Sequence, residues 1–347
     1  MKILITGISG FVGSHIAKGF LDLNTANVKY EVVGTVRSAK KGEALLTQPA
    51  FLHAAQAQTL RYIVVKDISE YDFSEDLKDI DAIAHTASPC HYEGQSFDDY
   101  FMPAVQGTRN LLMAAQKSPT VKAVAMTSSI GAVLDSRVPA LEQAGKVYTE
   151  ADWFSVKYED AASQAKIGLW YAASKAFAEE EAWKIHKLGG NSWSLATICP
   201  PSIYGPVINT SNPEEMSITA RWLYDLFCGQ TKEVMETRFP VWVDVRDVAE
   251  AHIKAILQKN NNRFIVSAGL YDFQKVADFI HKEFPDDALH QVPKGQPGNH
   301  LKPDQVYVLD SSKVKAELDV SFRSFEETFG DTFENCLEIK KLDTTSS

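Results

Sequence analysis

The sequence carries no excess of positive charge, no long apolar run, no paired cysteine spacing and no internal repeat. Each absence removes a class of function. Lys and Arg number 35 against 45 Asp and Glu, a net charge of −10. That balance argues against nucleic acid or an anionic membrane surface as the main partner. The opening Met1-Lys2-Ile3-Leu4-Ile5 runs into glycine at Gly7, too short for a signal-peptide core, and no later apolar run is long enough to span a bilayer. The four cysteines, Cys90, Cys199, Cys228 and Cys336, are scattered without the close spacing of a metal or redox motif. We expect them reduced and packed, with no metal site, in a cytoplasmic protein. Only Leu342-Asp343-Thr344-Thr345-Ser346-Ser347 reads as a frayed tail.

What is present is a 347-residue chain, enough for one large domain or two modest ones. It begins with a short apolar strand, Lys2-Ile3-Leu4-Ile5-Thr6. Gly7-Ile8-Ser9-Gly10-Phe11-Val12-Gly13 follows, and Ser14 to Leu21 then carries helical periodicity. Strand, glycine turn and helix form the context of a dinucleotide-binding fingerprint, here spaced GxxGxxG. Gly7 suits the tight turn, Gly10 the approach of backbone N–H groups to a pyrophosphate, and Gly13 close helix-to-strand packing, with Phe11 and Val12 between them. The second strand, Tyr30 to Val36, ends in Arg37-Ser38-Ala39-Lys40-Lys41. NAD binders hold the ribose hydroxyls with an acid at that position. A cationic cluster there suits a 2′-phosphate, so the expected cofactor is NADPH, gripped by Arg37 with Lys41 assisting. The alternative is ordinary solvated charge.

Strands and helices continue to alternate, which predicts a doubly wound parallel (Rossmann) sheet in an α/β chain. Asp67, followed by Ile68, ends a third strand and suits either an adenine contact or a turn. A fourth strand runs through Asp81-Ala82-Ile83-Ala84-His85 into Thr86-Ala87-Ser88-Pro89, small residues that let backbone pass close to a cofactor. His85 reads as a packed, hydrogen-bonded histidine rather than a catalyst. Val105 to Leu112 reads as a helix with small residues against the sheet. The fifth strand ends in Thr127-Ser128-Ser129, and the sixth, Ser192 to Ile198, stops at Cys199-Pro200-Pro201. Ligands of open α/β sheets sit at these carboxyl ends.

Tyr171 and Lys175 stand one helical turn apart in a run of strong helix formers. A fixed cation beside a phenol favours the phenolate, lowering a tyrosine pKa from about 10 toward working pH. Such a tyrosine can protonate a developing alkoxide. Neighbouring side chains on a strand face opposite ways, so only one of Ser128 and Ser129 should reach that site.

The glycine turn, the hydroxyl-ended fifth strand and Tyr171xxxLys175, in that order, resemble the extended short-chain dehydrogenase/reductases. Finer features resemble the dihydroflavonol-reductase-like branch with its fungal NADPH-dependent aldehyde and methylglyoxal reductases. These are Thr35-Val36-Arg37, the stretch from His85 to Pro89, Cys199-Pro200-Pro201-Ser202-Ile203-Tyr204-Gly205-Pro206, and Val243 to His252. The likeness covers roughly residues 1–335, although Asp135 to Gln164 is long. It implies that Ser129 binds the substrate oxygen, Tyr171 is the acid/base and Lys175 holds the nicotinamide ribose. It also implies that Thr86, Ala87, Pro200 and Ser202 lie along the cofactor. Asp247 is expected to cap a helix rather than touch substrate, and the helix Ile218 to Phe227 either fills core or lines a cleft.

The expected layout is a cofactor domain over 1–200 with a returning segment near 240–265. A smaller C-terminal substrate lobe takes 201–240 and 266–340, and 341–347 is the tail. The expected activity is NADPH-dependent reduction of small aldehydes or ketones, dicarbonyls and keto esters included. Two rivals are a nucleotide-sugar epimerase or dehydratase with bound NAD, and a non-catalytic NADPH-sensing regulator. Arg37 disfavours the first and Tyr171 with Lys175 the second.

Overall fold

A computed structural model describes residues 1–88, 94–190, 192–284 and 291–346. Pro89, Cys90 and Ser347, which figured in the reading above, lie outside them. In chain order the first six strands are β1 (Lys2–Thr6), β2 (Glu31–Val36), β3 (Leu60–Val64), β4 (Ala82–His85), β5 (Ala123–Thr127) and β6 (Val147–Tyr148). The rest are β7 (Ser194–Cys199), β8 (Ser202–Tyr204), β9 (Val241–Asp244), β10 (Arg263–Ile265), β11 (Gly269–Leu270) and β12 (Val308–Leu309). Seven of them form one parallel sheet in the order β10-β7-β5-β4-β1-β2-β3, the expected doubly wound Rossmann arrangement. The winding reverses between β1 and β4, which pair directly with Thr6 opposite His85. That switch point, beyond those two residues, is where such sheets bind ligands.

Alternation along β1 sends Ile3 and Ile5 to one face and Leu4 to the other. The first face is covered by helices Phe11–Asp22 and Val245–Leu257, whose Ile16, Phe20, Val248 and Ile256 share its core. The second is covered by Gly107–Lys117 and Ile167–Leu188, through Leu111, Leu112, Ala178 and Ala182. The helix expected from Val105 enters through a π-helical turn, Met102–Gln106, with Pro103 at its start. Proline has no N–H for the regular ladder, so an irregular entry suits that position.

Beyond β7 a second core gathers aromatic groups around Tyr204, Phe227, Trp242, Phe273, Phe329 and Phe333. The three-stranded sheet β11-β9-β8 lies at its edge. Helix Ile218–Phe227 buries Leu223, Leu226 and Phe227 in that core, the first of its two expected roles. Phe11, on the glycine turn's helix, belongs to this cluster too, so it joins the two bodies. The final helix, Phe325–Ser346, extends into the stretch expected to be a tail. Among the described residues, Cys199, Cys228 and Cys336 are buried and form no disulfide. No described helix is long and apolar enough to cross a membrane.

Candidate active site

The glycine turn is shaped by contacts that a side chain would forbid. Gly7 adopts φ +69°, and a Cβ there would lie 3.1 Å from the Ala87 backbone. A Cβ on Gly13 would lie 2.5 Å from the Gly7 carbonyl oxygen and 2.9 Å from the Thr86 hydroxyl. The Gly7 N–H donates to the Thr35 hydroxyl (3.0 Å), tying the turn to β2. The first helical hydrogen bond runs from the Ser14 N–H to the Gly10 carbonyl (3.0 Å). The N–H groups of Phe11, Val12 and Gly13 therefore have no acceptor within the helix. Gly10 offers no capping side chain, and no acid sits in the first turn. This cradle fits a phosphate group, which would meet free donors and the positive end of the helix.

A buried histidine sets the opposite wall. The Thr108 hydroxyl donates to the Ala104 carbonyl (2.7 Å), so it must accept from His85 Nε2–H (3.1 Å). His85 Nδ1 is then bare and accepts from the Thr6 hydroxyl (2.8 Å). The Thr6 oxygen in turn accepts the N–H groups of Thr86 and Ala87, both at 3.1 Å. His85 is thus a neutral packing residue that orients the turn facing the cofactor cradle.

Ser128 and Ser129 separate as strand alternation requires. The Ser128 hydroxyl turns inward and donates to Glu179 (2.6 Å). The Ser129 hydroxyl accepts from the Gly131 N–H (3.0 Å) and keeps its own proton to donate. A Cβ on Gly131 would lie 3.2 Å from Ala172 and 3.4 Å from the Ser129 oxygen. Ser129 therefore stands against the first turns of helix Ile167–Leu188, the helix that carries half-buried Tyr171. Lys175, one turn on, is buried and donates to the Thr127 carbonyl (2.8 Å). His252 Nδ1–H donates to the Val248 carbonyl (2.7 Å), so Nε2 accepts from the Thr127 hydroxyl (2.8 Å). Both polar arms of Thr127 are held, one by the lysine and one by a neutral histidine.

The remaining expected residues spread along the same edge. Arg37 is exposed at the end of β2 and makes no ion pair with any described residue. Lys41 lies in the helix capped by Ser38, whose hydroxyl accepts the Lys41 N–H (3.4 Å). Asp67 accepts from the N–H (2.8 Å) and hydroxyl (2.6 Å) of Ser69, which is the turn role. Ile68 packs against the tight spot at Gly107. The Pro200 carbonyl accepts the Ile130 N–H (3.0 Å), and Ser202 opens β8.

One expectation is corrected. The cap of helix Val245–Leu257 is Asp244, which accepts the Arg246 N–H (2.8 Å). Asp247 lies inside the first turn, fully buried, and accepts the backbone N–H of Arg323 (2.9 Å) and its guanidinium. β9 ends at Asp244, three residues before Asp247. Burial pushes the Asp247 carboxyl up to about 6.

Burial moves the histidines the other way. It lowers His15 and His252 to about 4 and His85 to about 3, from an ordinary 6.5. Near pH 5 unfolding then takes up three protons at the imidazoles and releases one at Asp247, a net uptake of about two. The imidazole contribution to stability is present above pH 6.5 and is lost as pH falls toward 4. The Asp247 contribution has the opposite sign and is lost as pH rises through 6. The unfolding free energy should therefore fall by about 3 kcal/mol per unit on acidification near pH 5. Urea melts at half-unit steps from pH 7 to 4.5 check this, and a flat profile would refute the neutral-histidine assignment.

Sequence reasoning missed two buried ionic residues, Glu179 and Arg263, which form an ion pair (2.7 Å) behind the serines. The available signal was spacing, since Glu179 stands one helical turn beyond Lys175.

The NAD dependent epimerase/dehydratase family matches residues 3–269. A ketoreductase of Aspergillus niger is 32% identical over 97% of this chain and 98% of its own length. The NADPH-dependent methylglyoxal reductase of Saccharomyces cerevisiae is 29% identical over 98% of this chain and 99% of its own length. Among solved structures, the yeast methylglyoxal/isovaleraldehyde reductase complexed with NADPH superimposes with a TM-score of 0.83 at 27% identity, over 98% of this chain and 99% of that chain.

Proposed function

This chain belongs to the NAD dependent epimerase/dehydratase family, and from that premise we propose that it is an NADPH-dependent carbonyl reductase of small aldehydes and ketones. What supports this is that the end of β5, with Thr127 and Ser129, lies against the helix bearing Tyr171 and Lys175, at the carboxyl edge of the sheet that also presents the glycine cradle. The similar proteins named as reductases support it over an epimerase. NADPH, when bound, supplies the hydride. Everything else falls to the chain. The Ser129 hydroxyl donates to the carbonyl oxygen and polarises it. Tyr171 transfers its proton to that oxygen as charge develops, and the ammonium of Lys175 steadies the phenolate left behind. Lys175 can do so because the Thr127 carbonyl fixes it. Arg37, Lys41 and the donors at Phe11, Val12 and Gly13 grip the phosphates. Ile68, Thr86, Ala87, Pro200 and Ser202 line the remaining length of the cofactor, with Asp67 holding the turn beside Ile68. The substrate enters between this edge and the lobe formed by 201–240 and 266–340.

The test is a panel of aldehydes, α-dicarbonyls and β-keto esters, each followed by loss of NADPH absorbance. Turnover of none of them, or turnover only of nucleotide sugars without net NADPH loss, would overturn the reading. A second expectation concerns the cradle. Gly13→Ala places its methyl against the Gly7 carbonyl, so NADPH affinity measured by fluorescence titration should fall at least about tenfold, the effect of one lost charge-assisted contact. Unchanged affinity would mean that the nucleotide lies elsewhere.

A further inference from the structure

We propose that the buried Glu179–Arg263 ion pair is a positioning device that holds the Ser129 turn in register with the helix bearing Tyr171 and Lys175. The inference rests on the reading of Ser129 as the carbonyl-binding hydroxyl. Glu179 is 0% exposed and Arg263 6%. Replacing a buried ion pair by apolar residues of similar size is often neutral or stabilising, so a geometric role is the better account of this one.

The geometry is specific. Arg263 meets the carboxylate in a fork, Nε to Oε1 (2.7 Å) and Nη2 to Oε2 (3.2 Å). Each carboxylate oxygen accepts one further hydroxyl at 2.6 Å, Thr197 on Oε1 and Ser128 on Oε2. Ser128 is the residue before Ser129. At the other end of the short turn, the Ala132 carbonyl accepts from Arg263 Nη2 (2.8 Å). Both ends of the segment carrying Ser129 therefore terminate on the same ion pair. Glu179 itself lies one turn beyond Lys175 and two beyond Tyr171 on one helix. Arg263 also donates to the carbonyls of Glu150 (3.1 Å) and Asp152, and its guanidinium stacks 3.7 Å from the centre of the Trp153 ring. The Phe154 N–H donates to the Ala132 carbonyl (3.0 Å). The long segment from 135 to 164 is thereby anchored to the serine turn.

The two hydroxyls on Glu179 provide a matched comparison. Ser128→Ala and Thr197→Ala each delete one hydrogen bond to the same carboxylate. Only the first loosens the residue adjoining Ser129, whereas Thr197 lies within β7, paired on both sides with Met126 and Arg263. Both variants should lower Tm by similar amounts and leave NADPH affinity unchanged. Ser128→Ala should lower kcat about tenfold, because small misplacements of a reacting group are costly, with KM changed less than threefold. Thr197→Ala should keep kcat within twofold of the parent. Glu179→Gln, which keeps the shape and removes the charge, should also lower kcat. Equal kcat values for Ser128→Ala and Thr197→Ala would overturn the proposal, whether both fall or neither does. Tyr171→Phe is assayed beside them. If it stays active, the catalytic assignment fails and the positioning role falls with it. If it is inactive while the two alanine variants match, the positioning role alone is lost.

Discussion

Tyr171→Phe should lower turnover by about 10²- to 10⁴-fold, the range supplied by a positioned general acid. NADPH affinity and Tm should stay close to the parent values. The substitution removes one oxygen from a half-buried side chain and leaves the ring in place. Lys175 keeps its hydrogen bond to the Thr127 carbonyl, because that bond does not involve the phenol. The loss should therefore appear in kcat rather than in cofactor binding. Single-turnover mixing of enzyme, NADPH and an aldehyde reads it directly. A variant that retains a third or more of the parent turnover would remove Tyr171 from the chemistry.

Arg37→Asp should reverse the coenzyme preference. Arg37 stands exposed at the end of β2, and no described residue competes for its guanidinium. Hydrogen bonds to charged groups are worth about 1.5–3 kcal/mol, or roughly ten- to a hundredfold in affinity. Reversing the charge adds repulsion of the 2′-phosphate and supplies an acceptor for the ribose hydroxyls of NADH. The ratio of kcat/KM for NADPH to that for NADH should fall by about two orders of magnitude or more. Lys41 lies one helical turn along the same segment and should account for part of the residual preference, so Arg37→Asp with Lys41→Ala should go further. An unchanged ratio would place the phosphate grip elsewhere. These two variants interrogate opposite ends of the cofactor, so either can fail without the other.

The residues behind these predictions were readable to different depths. Gly7 and Gly13 were legible because only glycine fits where the chain must approach another backbone, and that demand is local. Ser129 could be preferred over Ser128 from strand alternation and family likeness, but what Ser128 does instead depends on Glu179, 51 residues away. The helix cap was misread as Asp247 because Asp244 and Asp247 both follow an apolar strand. The choice between them is made where β9 ends, and β9 ends at Asp244, where its pairing with β8 ends.

The order of apolar runs, glycine turns and helix formers determined by itself the parallel sheet, the cofactor cradle and the Tyr171–Lys175 pair. Those features depend on steric and periodic rules acting over a few residues. Tertiary structure alone decided that Thr127 would hold both Lys175 and His252, and that Glu179 would meet Arg263 beneath the serines. Those contacts join strands and helices remote in sequence, and a buried charge takes its meaning from whichever partner folding brings to it.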